Sequence, residues 1–308
     1  MRNAFADEVT KLAVEDQRVV LLSGDIGNNL FEEFKASSEK RFFNCGVAEA
    51  NMMGVAAGLA LNGLRPIVYT ITPFTTTRCL EQIRDDVCYH DVPVIIVGTG
   101  AGLSYAELGP THHSCEDIAI LRSLPGMTVL CPCDSVEVRL MLRESLKHDG
   151  PIYMRIGKKG EPAVHETLPA LKIGQSITMR QGNDVCLLST GNVMPMVLEA
   201  ADSLEKQGIS VCVESFHTVK PLDTKRLGEV FRRYRIVGAV EEHNQIGGFA
   251  SAIAEWVTAQ EGPLARLVGF SLADRFLHEV GSQRYARERL GLTAQVLVDG
   301  IRRRHNAL

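Results

Sequence analysis

The sequence predicts an α/β protein made of two consecutive three-layer domains, the first built on a parallel sheet and the second on a smaller, mainly parallel one. Three observations carry that expectation. The chain has 308 residues, long for one hydrophobic core and comfortable for two. Short apolar, β-branched runs alternate with segments of helical periodicity along most of its length. Between 157 and 174 that rhythm stops in a stretch rich in Gly, Pro and Lys, which marks a linker between domains at 1–165 and 175–308.

In the first half, residues 4–14 place Phe5, Val9, Leu12 and Ala13 at helical spacing, and Val19-Val20-Leu21-Leu22 reads as a buried strand ending at Ser23-Gly24-Asp25. Further strands are expected at 41–45, 66–70, 93–98, 128–131 and 151–155, with helices at 49–61, 79–89, 116–122 and 135–147. In the second half, strands are expected at 184–189, 210–214, 235–241 and 266–270, and helices at 195–207, 224–231, 248–259 and 286–290. The tail Arg302-Arg303-Arg304-His305 reads as a solvated helix end.

The helix at 49–61 stands apart. After Glu49 no charge follows until Arg65, so the helix reads apolar on all sides and is expected to lie inside a domain. A carboxylate at its mouth is costly unless paired, hydrogen-bonded or protonated. The ordinary reading of Glu49 is a first-turn residue that complements the helix dipole.

Composition excludes several classes. Hydrophobic residues make up 45% and charged residues 23%, with a mean hydropathy of +0.01, as in an ordinary globular protein. A net charge of −4 gives no reason to expect a nucleic-acid partner. The 8 cysteines mostly sit in or beside apolar runs and form no disulfide framework. Cys131-Pro132-Cys133, with no second pair or histidine at ligand spacing, is weak evidence for a metal. With neither a signal segment after Met1 nor a run of membrane-spanning length, a cytoplasmic protein with no membrane partner is expected.

Open α/β sheets place ligands at the carboxyl ends of their strands. Here those ends are followed by Ser23-Gly24-Asp25-Ile26-Gly27-Asn28-Asn29, by Gly46-Val47-Ala48-Glu49, by the stretch 71–78, and by the stretch from 99 to Gly109-Pro110-Thr111-His112-His113-Ser114. The first lacks the lysine of a phosphate-binding loop and is a strand-end turn. Adjacent histidines rarely converge on one ion, so His112 and His113 make more sense as hydrogen-bonding or proton-transfer groups over a substrate.

Together, Ser23-Gly24-Asp25-Ile26, Gly46-Val47-Ala48-Glu49, the segment 74–83, Gly109-Pro110-Thr111-His112, Arg155, Ser189-Thr190-Gly191 and the segment 240–248 resemble the carboxyl-terminal half of a transketolase over nearly the whole chain. The resemblance implies a thiamine diphosphate pyrimidine-binding fold followed by a transketolase C-terminal domain. It also implies that a separate N-terminal-half transketolase subunit holds the diphosphate and its Mg²⁺ or Ca²⁺, because the Gly-Asp-Gly motif of that half is not in this sequence. The expected assembly is an α₂β₂ heterotetramer, and the expected reaction moves a two-carbon ketol unit from a ketose donor to an aldose acceptor. Rival readings are a 2-oxoacid decarboxylase or dehydrogenase beta-type subunit, a 1-deoxyxylulose-5-phosphate-synthase-like enzyme, which share the helix-entry glutamate, and a non-catalytic interaction subunit.

The resemblance also implies roles for single residues. Glu49 is the catalytic carboxyl group that hydrogen-bonds the aminopyrimidine of the cofactor, a task suited to an acid near a dry interface. Phe74 is an aromatic platform for the pyrimidine, and Arg78 and Ile26 complete the cofactor-binding set. His112 is the second catalytic residue and contacts the donor carbonyl. Arg2 and Arg155 fall where the acceptor's phosphate is bound, since arginine offers a planar fork of donors. Asn29, in place of a serine, and His113 join them as substrate-binding candidates. Leu108 and Gly100 stand where an aspartate and a phosphate-binding histidine are usual, which argues against ordinary pentose-phosphate specificity unless His113 and Lys158-Lys159 offset the change.

Overall fold

Helix and strand alternate from the first residues onward, as the hydrophobic periodicity requires. The computed structural model describes residues 1–26, 29–158 and 160–307. Lys159, one of the two lysines named above, and Gly27-Asn28 of the first strand-end loop lie outside the described residues. The chain opens with α1 (Arg2–Glu15), which buries Phe5, Val9, Leu12 and Ala13, and β1 (Val19–Ser23), buried along its whole length. There follow α2 (Glu32–Ser38), β2 (Phe42–Asn44), α3 (Glu49–Leu61), β3 (Arg65–Ile71), α4 (Thr72–Thr75) and α5 (Leu80–Gln82), which runs into a π-type turn over Ile83–Cys88. β4 (Ile95–Thr99), α6 (Asp117–Arg122), β5 (Thr128–Leu130), α7 (Ser135–Ser145) and β6 (Ile152–Ile156) complete the first half.

These strands run parallel in the order β5-β6-β4-β3-β1-β2. Helices cover both faces, so the central strands are apolar without alternation. On one side Phe5, Val9, Leu21, Tyr69 and Met141 pack together; on the other Leu22, Met52, Val68, Ile96 and Val129 do. The second group continues into Phe216, Phe231, Val237 and Phe249 of the second half, so one apolar core passes between the two domains.

The second half contains β7 (Ile177–Arg180), β8 (Val185–Thr190), α8 (Met194–Glu205), β9 (Val211–Ser215), β10 (Thr218–Lys220), α9 (Thr224–Arg233), β11 (Ile236–Asn244), α10 (Phe249–Thr258), β12 (Arg266–Leu272), α11 (Gln283–Arg289) and α12 (Ala294–His305). Its sheet has the order β12-β11-β8-β9-β7, parallel except for the edge strand β7. The sequence reading placed neither β7 nor β10. β7 is a half-buried edge, and β10 leaves its own domain to pair antiparallel with β5 as the seventh strand of the first sheet. Among the described residues no helix is long and apolar enough to cross a membrane.

The expectation for α3 is corrected on one side. Met52, Met53, Ala56, Ala57 and Ala60 are buried with Glu49, but Val55 is 44% exposed, Leu61 is 61% exposed, and Val47 just before the helix is 78% exposed. The helix is apolar all round because one face fills the core and the other is open at the surface of this chain.

A buried charge fastens the halves together. Arg155 at the end of β6 donates from Nε to Asp117 Oδ2 (2.7 Å) and from Nη2 to the carbonyls of Ser114 (3.1 Å) and Glu242 (2.8 Å). The Tyr153 hydroxyl donates to the same Asp117 oxygen at 2.5 Å. Burial alone would pull the Arg155 pKa down, but Asp117 more than compensates and holds it above its ordinary value. Asp117→Ala would leave a guanidinium unpaired in the interior, so a loss of about 3–5 kcal/mol of unfolding free energy is expected in urea titrations of the purified chain. A loss below about 1 kcal/mol would show that water already solvates the pair.

Candidate functional site

The carboxyl ends of β1, β2, β3 and β4 bring the strand-end loops to one edge of the first sheet. Glu49 is the first residue of α3, and Ala48 before it supplies no side-chain cap, so the carboxylate meets the helix dipole directly. The residue is only 3% exposed. Its Oε2 accepts from Arg78 Nη1 at 2.8 Å, and the partly exposed Arg78 guanidinium lies 4.0 Å from the centre of the Phe74 ring. Phe74 sits on α4, a single turn started by Pro73 as soon as β3 ends. A wall of glycine and hydroxyl closes the back of the site. A Cβ on Gly24 would meet Thr70 Oγ1 at 2.8 Å and Glu49 Oε1 at 3.6 Å, and Thr70 Oγ1 is buried with no hydrogen-bond partner among the described residues.

His112 completes the group. Its half-buried ring lies 5.4 Å from the Phe74 ring in an edge-on arrangement, its backbone N–H donates to Gly109, and its Nδ1 is 3.0 Å from Thr111 Oγ1. Glu49, Arg78, Phe74 and His112 are therefore linked in sequence by direct contacts. Ile26 is half-buried at the end of β1 and packs on the core that includes Phe5 and Tyr69.

Other predicted residues fall elsewhere. Arg2 and Asn29 share a surface cavity of about 350 Å³ with Asp7, Thr10 and Glu33, and Arg2 Nε is buried without a hydrogen-bond partner among the described residues. Asn29 has φ 61°, a left-handed conformation that asparagine tolerates better than most residues. His113 does not join His112. It lines a separate cavity of about 350 Å³ with Cys115, Glu116, Asn244, Phe276 and Leu277, and burial pushes its pKa down. Arg155 is likewise not brought to the cluster: its contacts described above are internal, and the structure gives it a fastening role where a phosphate ligand was expected.

Sequence reasoning missed Tyr105. Its ring stands 6.5 Å from that of His112, with Lys158 Nζ 5.4 Å from its centre and Lys158 in turn paired with Glu107. A Cβ on Gly100 would overlap the Tyr105 ring, and Gly100 has φ +74°. The signal was present in the glycine itself: the side chain absent at 100 leaves the room that Tyr105 fills. Leu108 is exposed beside this loop.

A strand-end carboxylate, aromatic ring and imidazole on a parallel sheet, followed by a smaller α/β domain, place the protein in the class of two-domain α/β proteins with a polar site at the carboxyl ends of the first sheet's strands. Residues 1–161 match the family model described as "Transketolase, pyrimidine binding domain" and residues 174–295 the one described as "Transketolase, C-terminal domain". The chain belongs to the transketolase family, whose members use thiamine diphosphate. It is 36% identical over 299 residues to a 6-deoxy-6-sulfo-D-fructose transketolase subunit of Clostridium sp. (strain MSTE9), covering 97% of this chain and 92% of that protein. It is 31% identical to an apulose-4-phosphate transketolase subunit of Phocaeicola vulgatus, covering 87% of this chain and 86% of the relative. A solved structure described as "Split gene transketolase, inactive beta4 tetramer" superposes with a TM-score of 0.89 at 33% identity, covering 98% of this chain and 96% of that one.

The Tyr105 packing yields a test that needs no substrate. Gly100→Ala forces the ring to move and strains a left-handed backbone, with an expected cost of about 1–3 kcal/mol in chemical denaturation. In a Tyr105→Ala background the same change should cost roughly 1 kcal/mol, the backbone part alone. Equal costs in both backgrounds would show that Tyr105 does not occupy this space.

Proposed function

We propose that the chain is the C-terminal subunit of a split, thiamine diphosphate-dependent transketolase, moving a two-carbon ketol unit between a ketose donor and an aldose acceptor. The observation that carries this reading is Glu49: a buried carboxylate at a helix mouth, beside Phe74 and His112, on a helix whose second apolar face is uncovered. The residues fit the pyrimidine end of the cofactor. Gly24 lets Thr70 approach closely, Thr70 Oγ1 is a hydroxyl without a partner among the described residues, and Phe74 offers an apolar face beside a carboxylate. When bound, thiamine diphosphate supplies the nucleophilic carbon on which carbon–carbon bond exchange depends.

In this reading Glu49 hydrogen-bonds the aminopyrimidine, which requires Arg78 to release it. Arg78 is the exposed partner and can swing into water, while the aminopyrimidine takes its place at the buried carboxyl group. Phe74 and Ile26 line the cofactor pocket, and His112 donates to the donor's carbonyl oxygen. Arg2 and Asn29 hold the far end of the acceptor, and Tyr105 with Lys158 replaces the polar wall that Gly100 and Leu108 do not provide. The diphosphate and its Mg²⁺ or Ca²⁺ belong to an N-terminal-half partner, which covers the open face of α3 in an α₂β₂ cytoplasmic assembly. The relative described as an inactive beta4 tetramer supports inactivity of this chain alone.

The test mixes the chain with the N-terminal-half subunit, thiamine diphosphate and Mg²⁺ and screens ketose donors against aldose acceptors. Activity is expected only in the mixture, and Glu49→Gln should lower kcat by at least about 100-fold while leaving the thermal midpoint within a few degrees. Full activity of Glu49→Gln, or of the chain alone, would overturn the reading.

A further inference from the structure

The Cys131-Pro132-Cys133 segment after β5 plays no part in the site above, yet it opens onto a second cluster at the junction of the two domains. Asp134 caps α7 by accepting from the N–H groups of Val136 and Glu137 with one oxygen. With the other it accepts from the N–H groups of Val164 and His165. One aspartate thus fixes the helix entrance and lays the interdomain linker across it. The result is that Cys133 Sγ, Glu137 Oε1 and His165 Nε2 converge: Sγ lies 3.9 Å from Nε2, Nε2 lies 3.0 Å from Oε1, and all ligand atoms are within 4.8 Å of one another. Cys133 and Glu137 are buried, and the His165 side chain is 6% exposed.

We propose that Cys133, Glu137 and His165 form a site for a divalent transition metal, best suited to Zn²⁺, that pins the linker between the domains. Tetrahedral zinc with sulfur, nitrogen and oxygen ligands needs ligand separations of about 3.3–3.6 Å, and the distances of 3.9 Å and 3.0 Å from Nε2 lie on either side of that range. A thiolate and an imidazole select against Mg²⁺ and Ca²⁺, which prefer oxygen. The charges also balance. Zn²⁺ with one thiolate, one carboxylate and a neutral imidazole has no net charge, which is what a buried site requires. On binding, the Zn–S bond replaces S–H and that proton leaves to solvent, while Nε2 of His165 gives up the proton it donates to Glu137, the neutral imidazole keeping its N–H at Nδ1, and carries the metal instead.

A further observation belongs to the same place. His217, two residues beyond Ser215, is buried and its Nε2 has no hydrogen-bond partner among the described residues. Ser215 Oγ itself donates to Glu137 Oε1 at 2.8 Å, so the second domain reaches the cluster at this point. The three protein ligands leave the fourth position of a tetrahedral ion to water. The site draws on the first domain, the linker and the second domain, so its role is structural and independent of the reaction at Glu49.

The experiment uses the purified full chain. After incubation with Zn²⁺ and gel filtration, mass spectrometry of the metal should find about one zinc per chain, and Co²⁺ in its place should give a near-ultraviolet thiolate-to-cobalt absorption band. Cys133→Ser should abolish the band, and both Cys133→Ser and His165→Gln should weaken zinc binding by at least about tenfold. Circular dichroism identifies which variants are folded, and either folded variant is sufficient. Failure of the wild-type chain to retain zinc, a cobalt spectrum without the thiolate band, or wild-type affinity in a folded variant would overturn the proposal.

Discussion

The position of the candidate site depends on one buried ion pair. Arg155 and Asp117 lie in the interior where neither charge is tolerable alone, so each must hold the other, and the remaining guanidinium donors must find carbonyls. The carbonyls they find are those of Ser114, two residues after His112, and Glu242, on the strand β11 of the other domain. The Glu242 carboxylate in turn accepts from the backbone N–H of Leu103 at 2.7 Å and pairs with Arg287. The histidine loop is thereby tied at its start and its end to the second domain. Its placement over Phe74 follows from those ties and not from the loop's own composition.

The alternation of strands and helices was legible in the sequence because it records burial on the faces of a sheet. Glu49, Phe74 and His112 were legible because each belongs to a motif at a strand end, and the structure brings them together. What was not legible has physical reasons. Periodicity cannot distinguish a helix buried in its own domain from one with a face left open, since both need apolar residues all round; α3 is the second kind. An arginine at a strand end can neutralise a ligand or an internal aspartate, and only the fold shows that Arg155 does the latter. His112 and His113 are adjacent in sequence, yet His112 packs against Phe74 and His113 lines the cavity beside Phe276. Tyr105 was missed because its only mark in the sequence is an absence, the missing side chain at Gly100.

Within the site, strength and exposure are unequally shared. Glu49 is enclosed by core residues on the sheet side, whereas Arg78, its partner, has water on one side and an aromatic face on the other. Such a pair keeps a carboxylate from being buried uncompensated while no ligand is present. A ligand that offers Glu49 an equivalent hydrogen bond can take the place of Arg78, whose guanidinium then returns to water. Stability in this region therefore comes from Met52, Met53 and the strands beneath them, leaving the polar groups free to change partners.

The crossing of β10 bears on how the protein is made. Residues 218–220 belong to the second half of the sequence but finish the sheet of the first, pairing along the open edge of β5. During synthesis the first domain emerges with that edge unpaired and its backbone groups unmet, a known invitation to association with other chains. It cannot be completed until the ribosome has passed the linker and a large part of the second domain. A boundary drawn at the linker thus separates two sequence regions but not two independent folding events, and the two halves reach their final state together.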